Sequence, residues 1–187
     1  MRPIEECRAR AARLKLMIFD VDGTLTDGSL YFTDAGGEIK VFNAHDGHGM
    51  RMLQAAGVEL AIITGRNAPC VDWRMKNLGI GHVYQGIGDK LATFHELLAR
   101  VGVDAGEAGF MGDDLIDLRV MAACGFSAAP ADCYAPTQKY ADYLASRPGG
   151  RGAAREVCEF ILAAQGKLDA ALAGYLPAPS ANPGIAG

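Results

Sequence analysis

The sequence lacks the long apolar segment that a membrane-spanning helix or a secretory signal would need. No apolar run approaches the roughly 18 residues of a membrane span, and the N-terminal stretch MRPIEECRARAARL mixes acidic with basic side chains. An excess of positive charge is also missing, because the formal net charge is −4. This balance argues against nucleic acid or an acidic membrane surface as the main partner. We therefore expect a cytoplasmic protein with no membrane or nucleic-acid partner.

Paired cysteine motifs are absent as well. The five cysteines are odd in number and never form a C-x-x-C pair, which is typical of reduced thiols, several of them buried as small hydrophobic side chains. His45 and His48 lie three residues apart, but a zinc site would need further ligands at suitable spacing nearby. The sequence does not predict structural zinc.

What is present is an alternation of short apolar runs with helical patterns. The 187 residues, 50% of them hydrophobic, are enough for one domain with a sizeable core. Five runs are predicted to be strands: 14–20, 59–65, 82–86, 108–113 and 125–129. Four segments have helical spacing and end near a glycine: 46–57, 68–79, 89–102 and 114–125. This order predicts an α/β fold, a three-layer Rossmann-like parallel sheet with helices on both faces.

One segment departs from this alternation. Residues 29–43, SLYFTDAGGEIKVFN, show two β-rich arms around Asp34-Ala35-Gly36-Gly37, which predicts a hairpin. The hairpin follows the first strand directly and is expected to project over the end of that strand. The tail from about residue 176 is rich in proline, glycine and alanine and is predicted to be mobile.

Polar side chains follow the predicted strands at the edge where open α/β sheets bind ligands. The candidates are Asp20 and Asp22 after the first strand, Thr64 after the second, Lys90 after the third, and Asp113, Asp114 and Asp117 after the fourth. Crowded carboxylates repel one another, and a divalent cation would relieve that repulsion. Magnesium prefers oxygen ligands and often retains a substrate phosphate. Asp20 and Asp113 are therefore predicted to bind Mg²⁺, with Thr64 and Lys90 on the same phosphate.

Each of these motifs alone has an ordinary structural explanation. A D-x-D sequence after a strand is often only a turn, and an Asp-Asp pair that opens a helix is usually an N-cap. Lys90 alone would be a solvated lysine. All four motifs in order, each at the end of a strand, favour a functional site.

The motif order resembles the haloacid dehalogenase superfamily. DVDGT (20–24) is similar to motif one, ITGR (63–66) to motif two, Lys90 to motif three and GDDLID (112–117) to motif four. The resemblance implies that Asp20 is a nucleophile that forms an aspartyl phosphate. It also implies that Asp22 is the general acid and base and gives its backbone carbonyl to the metal.

The same resemblance assigns the remaining polar residues. Asp113 would complete the metal ligands, and Asp117 would orient water or Lys90. An acid at the position of Asp22 marks phosphatases and phosphomutases in this superfamily, so the expected reaction is phosphate hydrolysis. The chemistry agrees, because a carboxylate attacks a phosphate dianion only when a metal and a cation neutralise it.

The spacing of the motifs leaves no room for a separate cap domain. The segment between Asp20 and Thr64 holds only the hairpin and one helix, and the segment between Thr64 and Lys90 only a helix and a strand. We therefore predict a single capless domain over residues 1–187.

The capless pattern, with segments such as TDGSLYF, FNAHDGHGMRML and GGRGAAREV, resembles the phosphatases of 3-deoxy-D-manno-octulosonate 8-phosphate, a precursor of lipopolysaccharide. This resemblance implies a Mg²⁺-dependent enzyme that acts on a phosphorylated sugar acid and assembles as a homotetramer whose subunits close one another's sites. It implies that the substrate pocket contains Asp22, Asn43, Ala44, His45, Asp46, Gly47, Arg51, Arg66, Arg74, Lys90 and Ile116.

Some of these assignments have alternatives. The family often has arginine where His45 stands and valine where Thr24 stands, which bears on the sugar and not on the reaction. Arg51 and Arg74 fall in predicted helices and could belong to solvated faces. Arg151, in the segment GGRGAARE, is a further candidate for the site but could belong merely to a loop and a helix start. A phosphatase for a nine-carbon sialic-acid-type 9-phosphate shares every catalytic motif, and a non-catalytic subunit with the same fold is a further alternative.

Overall fold

A parallel sheet between two helical layers organises the protein, as the computed structural model shows for residues 2–176. The strands are β1 (Leu16–Phe19), β2 (Tyr31–Phe32), β3 (Glu38–Ile39), β4 (Glu59–Ile63), β5 (His82–Tyr84), β6 (Ala108–Met111), β7 (Phe126–Ala129) and β8 (Tyr143–Leu144). The helices are α1 (Ile4–Ala11), α2 (Ala44–Ala55), α3 (Pro69–Leu78), α4 (Lys90–Val101), α5 (Leu118–Ala123), α6 (Ala153–Ala164) and α7 (Leu168–Ala173). The predicted α/β fold is confirmed.

The sheet has the order β5-β4-β1-β6-β7-β8, and every pairing in it is parallel. The chain runs outward from β1 through β4 to β5 and then returns to the other side of β1 with β6. The connections therefore change direction beside β1, and a crevice forms at the carboxyl ends of strands at such a point.

Buried side chains alternate along β1 between the two faces of the sheet. Met17 and Phe19 pack into a core with α1, α2, α3 and α6. Leu16 and Ile18 pack into a second core with α4 and α5. This period of two is the geometry of an extended strand, and it explains why β1 is apolar at every position: both of its faces are covered.

The structure contains elements that the sequence pattern did not predict. Strand β8 has only two residues, and α1, α6 and α7 lie outside the four predicted helices. The fourth predicted helix begins instead as a 3-10 turn, Leu115–Asp117, because Asp114 and Asp117 cap each other's backbone there. Helices α3 and α4 end at the predicted glycines, Gly79 and Gly102.

The predicted hairpin is present as a separate two-stranded sheet. Tyr31 pairs with Ile39 and Phe32 with Glu38, in antiparallel register. Its apolar side chains are largely exposed, 63% for Phe32 and 60% for Val41. Phe42 differs from them, since it packs partly buried against the core.

Two further expectations concern the C-terminal tail and membrane-spanning helices. The tail predicted to be mobile lies outside the described residues, apart from Leu176 itself. Within residues 2–176, no helix has both the length and the apolar character to cross a bilayer.

Candidate active site

The polar residues of the four motifs converge at the carboxyl edge of the sheet. Asp20 follows β1, and its N–H donates to the Met111 carbonyl at the end of β6, 2.9 Å away. Thr64 follows β4. Lys90 opens α4, and Asp113 lies two residues beyond β6. Because β1 lies between β4 and β6, the fold brings these chain segments to one place, as the sequence predicted.

Gly23 makes room for the approach of Asp113. The glycine has a φ of +84°, and a Cβ atom built on it would lie 2.1 Å from Oδ2 of Asp113. A side chain at this position would collide with the carboxylate and strain the backbone. The glycine of the DVDGT motif thus lets the loop after β1 turn tightly against the loop after β6.

Three carboxylates crowd at this point. Asp20, Asp113 and Asp117 each offer an oxygen, and these oxygens lie within 4.8 Å of one another. Burial and the charge of Asp117 raise the pKa of Asp20 to about 6. Burial, with the charges of Asp20 and Asp117, raises the pKa of Asp113 to about 8. Both shifts show that the folded protein without a cation resists the full negative charge of the cluster.

Lys90 supplies one compensating charge. Its Nζ lies 2.6 Å from Oδ1 of Asp117, to which it donates a hydrogen bond, and 2.8 Å from Oδ1 of Asp20. The contact with Asp20 is an ion pair without hydrogen-bond angles, since Oδ1 of Asp20 has no hydrogen-bond partner among the described residues. Burial lowers the pKa of Lys90, but the charges of Asp20 and Asp117 outweigh it and raise the pKa. Lys90 is therefore a cation.

Asp117 uses both of its carboxylate oxygens within the protein. Oδ1 accepts from Lys90, and Oδ2 accepts from the backbone N–H groups of Asp113 and Asp114, at 3.0 and 3.2 Å. The residue is fully buried. Its carboxylate fixes the loop that carries Asp113 and leaves Asp20 and Asp113 as the acids free to face a cation.

The chemistry of this cluster fits Mg²⁺. Three carboxylates and one ammonium carry a formal charge of −2 when all are ionised. Oδ1 of Asp20 is buried and lacks a hydrogen bond from the described residues, and the Lys90 ammonium beside it balances only part of the negative charge. Hard oxygen donors of this kind are what Mg²⁺ prefers.

The sequence analysis missed an ion-pair chain that reaches the same site from the hairpin. Lys40 Nζ contacts Oδ1 of Asp22 and also Oε1 of Glu38. Oε2 of Glu38 pairs with Nη2 of Arg66 at 2.7 Å. The alternation of polar and apolar residues in the arm Glu38-Ile39-Lys40-Val41 was the available signal, because alternate residues of a strand share a face.

The hairpin base and a glycine-rich loop enclose a cavity of about 340 Å³ beside the site. Its lining comprises Asp27, Val41, Phe42, Asn43, Ala44, His45, Gly150 and Arg151. Asn43 caps α2 by accepting from the His45 N–H and donates to the Gly150 carbonyl. Arg151 lies 3.4 Å from Asp27. Asn43, Ala44 and His45 thus line a space large enough for part of a small ligand.

Two of the predicted pocket residues, Asp46 and Arg74, make hydrogen bonds that connect neighbouring helices. Asp46 is buried, and its two oxygens accept from the N–H groups of Gly152 and Arg155 at the start of α6. Arg74 donates to the Asn43 carbonyl and lies so close to Gly47 that a Cβ there would be 2.2 Å from its Nη2. Gly47 therefore provides the space that Arg74 occupies.

Arg51 and Ile116 have different surroundings. Arg51 donates to the Asn77 carbonyl and lines a cavity of about 850 Å³ between α2 and α7, away from the carboxylate cluster. Ile116 is 60% exposed, and its Cδ1 lies 3.8 Å from the Cβ position of Gly65, next to Thr64. Ile116 is thus an apolar group at the mouth of the site.

Comparisons with known proteins agree with this geometry. No protein-family model matches the chain. The chain is 48% identical over 162 residues to the 3-deoxy-D-manno-octulosonate 8-phosphate phosphatase KdsC of Yersinia pestis, covering 87% of each protein.

Solved structures give the same result. The phosphatase of this name from Moraxella catarrhalis, crystallised with a magnesium ion, a phosphate ion and KDO, has a TM-score of 0.91 at 40% identity and covers 93% of this chain and 100% of that chain. A Legionella pneumophila protein described as a hydrolase of HAD subfamily III A has a TM-score of 0.89 at 40% identity, covering 92% of this chain and 94% of that chain. With the motifs converging as described, this chain belongs to the 3-deoxy-D-manno-octulosonate 8-phosphate phosphatase family of the haloacid dehalogenase superfamily.

Proposed function

We propose that Asp20 is the nucleophile with which this Mg²⁺-dependent phosphatase removes the phosphate of 3-deoxy-D-manno-octulosonate 8-phosphate. The observation that carries the assignment is the convergence of Asp20, Asp113 and Lys90 at one buried point. The Moraxella relative was crystallised with magnesium, phosphate and KDO, and phosphate and KDO are the two products that this hydrolysis would release.

The metal would be held by the carboxylates of Asp20 and Asp113 and by the backbone carbonyl of Asp22. When bound, Mg²⁺ neutralises phosphate oxygens and so makes the phosphorus accessible to an anionic nucleophile. Lys90 adds a second positive charge next to Asp20. The Thr64 hydroxyl, at the end of β4, is proposed to donate to a phosphate oxygen.

The reaction proceeds in two displacements. A carboxylate oxygen of Asp20 bonds to phosphorus while the bond from phosphorus to the sugar oxygen breaks, and Asp22 gives its proton to that oxygen. Water then attacks the phosphoaspartate, Asp22 takes up a proton from this water, and the bond to Asp20 breaks. Phosphate leaves, the Asp20 carboxylate is restored, and Asp22 is protonated again.

The sugar acid is proposed to bind over the hairpin base. Of the proposed set, Asn43, Ala44 and His45 line the cavity at the hairpin base. The other members are Asp46, Gly47, Arg51, Arg66, Arg74 and Ile116. Arginines bind carboxylates bidentately, which suits a substrate that carries a carboxylate as well as a phosphate. The cavity beside Arg151 supports this placement.

The proposed assembly is a homotetramer of single-domain, capless subunits. Between β1 and β4 the chain holds only the hairpin and α2, which supports a subunit without a cap domain. The hairpin exposes Leu30, Tyr31, Phe32, Ile39 and Val41, and a two-stranded hairpin is barely stable without a partner surface. Neighbouring subunits would bury these side chains and exclude water from the site. The five free cysteines support a cytoplasmic location.

A substrate panel tests the function directly. Phosphate release with Mg²⁺ should show the highest kcat/KM for 3-deoxy-D-manno-octulosonate 8-phosphate and a lower value for a nine-carbon sialic-acid-type 9-phosphate. A reversed ranking would favour the nine-carbon alternative, which the relatives reported above do not support. No release from any member of the panel would point to a non-catalytic subunit.

A further inference from the structure

The second arm of the hairpin has charged side chains on one face and apolar side chains on the other. Glu38 and Lys40 point toward the domain, and the Lys40 side chain is only 1% exposed. Ile39 and Val41, which alternate with them, are 52% and 60% exposed. This is the period of two of an extended chain. The inner face therefore presents charged groups to the active site, while the outer face is apolar.

Two carboxylates compensate the burial of the Lys40 ammonium. Its ammonium contacts Oδ1 of Asp22 and lies 2.5 Å from Oε1 of Glu38. Burial lowers the pKa of Lys40, but these two acids raise it by more, so the side chain is a cation. A buried lysine that binds one acid from its own arm and one from the catalytic loop joins the hairpin to that loop.

Glu38 is itself held in place from outside the hairpin. Its Oε2 pairs with Nη2 of Arg66 at 2.7 Å. Hydrogen bonds from Arg66 and then Lys40 lower the pKa of Glu38 to about 2, so it is an anion at neutral pH. The chain Arg66–Glu38–Lys40–Asp22 thus alternates in charge and runs from the end of β4 to the catalytic loop.

The two oxygens of Asp22 have different surroundings. Oδ1 contacts Lys40, whereas Oδ2 is buried and has no hydrogen bond from the residues that the structure describes. This contact therefore fixes the rotation of the carboxylate, and the other oxygen keeps its acceptor capacity unused among these residues. A general acid needs this arrangement, because it must hold its reactive oxygen at hydrogen-bond distance from the leaving group.

We propose that Lys40 is a positioning residue that orients the Asp22 carboxylate for proton exchange with the substrate. Glu38 and Arg66 hold Lys40 in this position. The inference rests on the proposed role of Asp22 as general acid and base. It adds a contribution of the hairpin to catalysis itself, apart from any contribution to subunit contacts.

Leaving-group dependence separates this role from a merely structural one. A p-nitrophenolate leaves without protonation, whereas a sugar alkoxide needs a proton. Lys40→Met should therefore lower kcat/KM for 3-deoxy-D-manno-octulosonate 8-phosphate by roughly 10²-fold, and for p-nitrophenyl phosphate by less than about threefold. Lys40→Arg, which keeps the positive charge, should recover part of the loss. Equal losses on both substrates would overturn the proposal.

A double-mutant cycle makes the test independent of folding differences. If Lys40 acts through Asp22, adding Lys40→Met to Asp22→Asn should cause no further loss of kcat/KM. Losses that multiply in the double variant would overturn the proposal. Lys40→Gln, close in shape and neutral, gives the same comparison if Lys40→Met does not fold by circular dichroism.

The control variant is Lys15→Met, which removes an exposed lysine paired with Glu107 at the opposite end of β1 and should leave both activities unchanged. Failure of the proposed function is distinguishable: the wild type would then release no phosphate, or Asp22→Asn would remain fully active. If both of those measurements come out as expected and Lys40→Met keeps wild-type activity on both substrates, the role of Lys40 alone is wrong.

Discussion

The Nζ of Lys90 lies 2.8 Å from Oδ1 of Asp20, although the two residues come from strands that are not neighbours. Asp20 follows β1, whereas Lys90 begins α4 after β5, and β4 lies between these strands. The long lysine side chain crosses this gap and also reaches Asp117 beyond β6. One buried ammonium thus connects the loops that follow three strands.

Lys90→Met should destabilise the metal-free protein. The substitution leaves Asp20 and Asp117 buried without their cation, and breaking a buried ion pair in this way typically costs about 3–5 kcal/mol. The free energy of unfolding, measured with urea in the presence of EDTA, checks this. Lys15→Met, at an exposed pair, should have a much smaller effect, and equal effects would contradict the assigned burial.

Asp20→Asn should abolish turnover and leave the fold intact. An amide cannot attack phosphorus as a carboxylate does, and it removes one of the crowded charges. The melting temperature in EDTA should therefore not fall below that of the wild type. Phosphate release, circular dichroism and a search for the phosphorylated protein by mass spectrometry check this. Asp34→Asn, in the exposed hairpin turn, is the matched control and should remain active.

Magnesium should stabilise the protein more at high pH than at low pH. The pKa values of Asp20 and Asp113 rise on folding from 3.8 to about 6 and about 8. The stability that these groups contribute is therefore complete below pH 3.8 and is lost as the pH rises through the folded-state values. Mg²⁺ binds the ionised form and offsets this loss.

Melting curves at pH 5.5 and pH 8 measure this effect. The metal-free protein should melt lower at pH 8, and the rise in melting temperature on adding Mg²⁺ should be larger there. EDTA should silence turnover and Mg²⁺ should restore it. Asp113→Asn should weaken both the pH dependence and the effect of the metal. A magnesium effect that is the same at both pH values, or full activity in EDTA, would contradict the assigned ligands.

Phe32→Asp should dissociate the proposed tetramer. The side chain is 63% exposed on the outer surface of β2, so a charge there would not disturb the core of the isolated subunit but would oppose apolar packing between hairpins. Sedimentation velocity at assay concentration checks the size of the particle. Ile4→Asp, on the exposed side of α1, should leave it unchanged. A wild-type protein that is fully active as a monomer would refute the assembly.

The sequence predicted the convergence of the motif residues better than the contacts around them, for physical reasons. The carboxyl ends of parallel strands meet at one edge, so Asp20 and Asp113 could be expected to approach from the motif order alone. Strand β8 was not predicted because a strand of two residues is too short to show an alternating apolar pattern. Lys40 escaped prediction because a lysine in a hairpin arm resembles a solvated charge until the fold places Asp22 beneath it.

The role of Asp46 shows the same limit. The resemblance assigns it to the substrate pocket, and that assignment stays a prediction. In the structure its carboxylate accepts hydrogen bonds from Gly152 and Arg155. These partners are more than a hundred residues away along the chain, and a long-range hydrogen bond leaves no local pattern in the sequence. Residues that act through distant partners are therefore the ones that sequence analysis describes least well.

The central place of β1 affects the order in which the protein can form during synthesis. This strand emerges from the ribosome first, but its neighbours β4 and β6 follow only at Glu59–Ile63 and Ala108–Met111. Until then, both of its edges remain unpaired and its apolar faces uncovered, which is the state most exposed to misassociation. A nascent chain that carries Asp20 therefore completes the carboxylate cluster around this residue only once synthesis has passed Asp117.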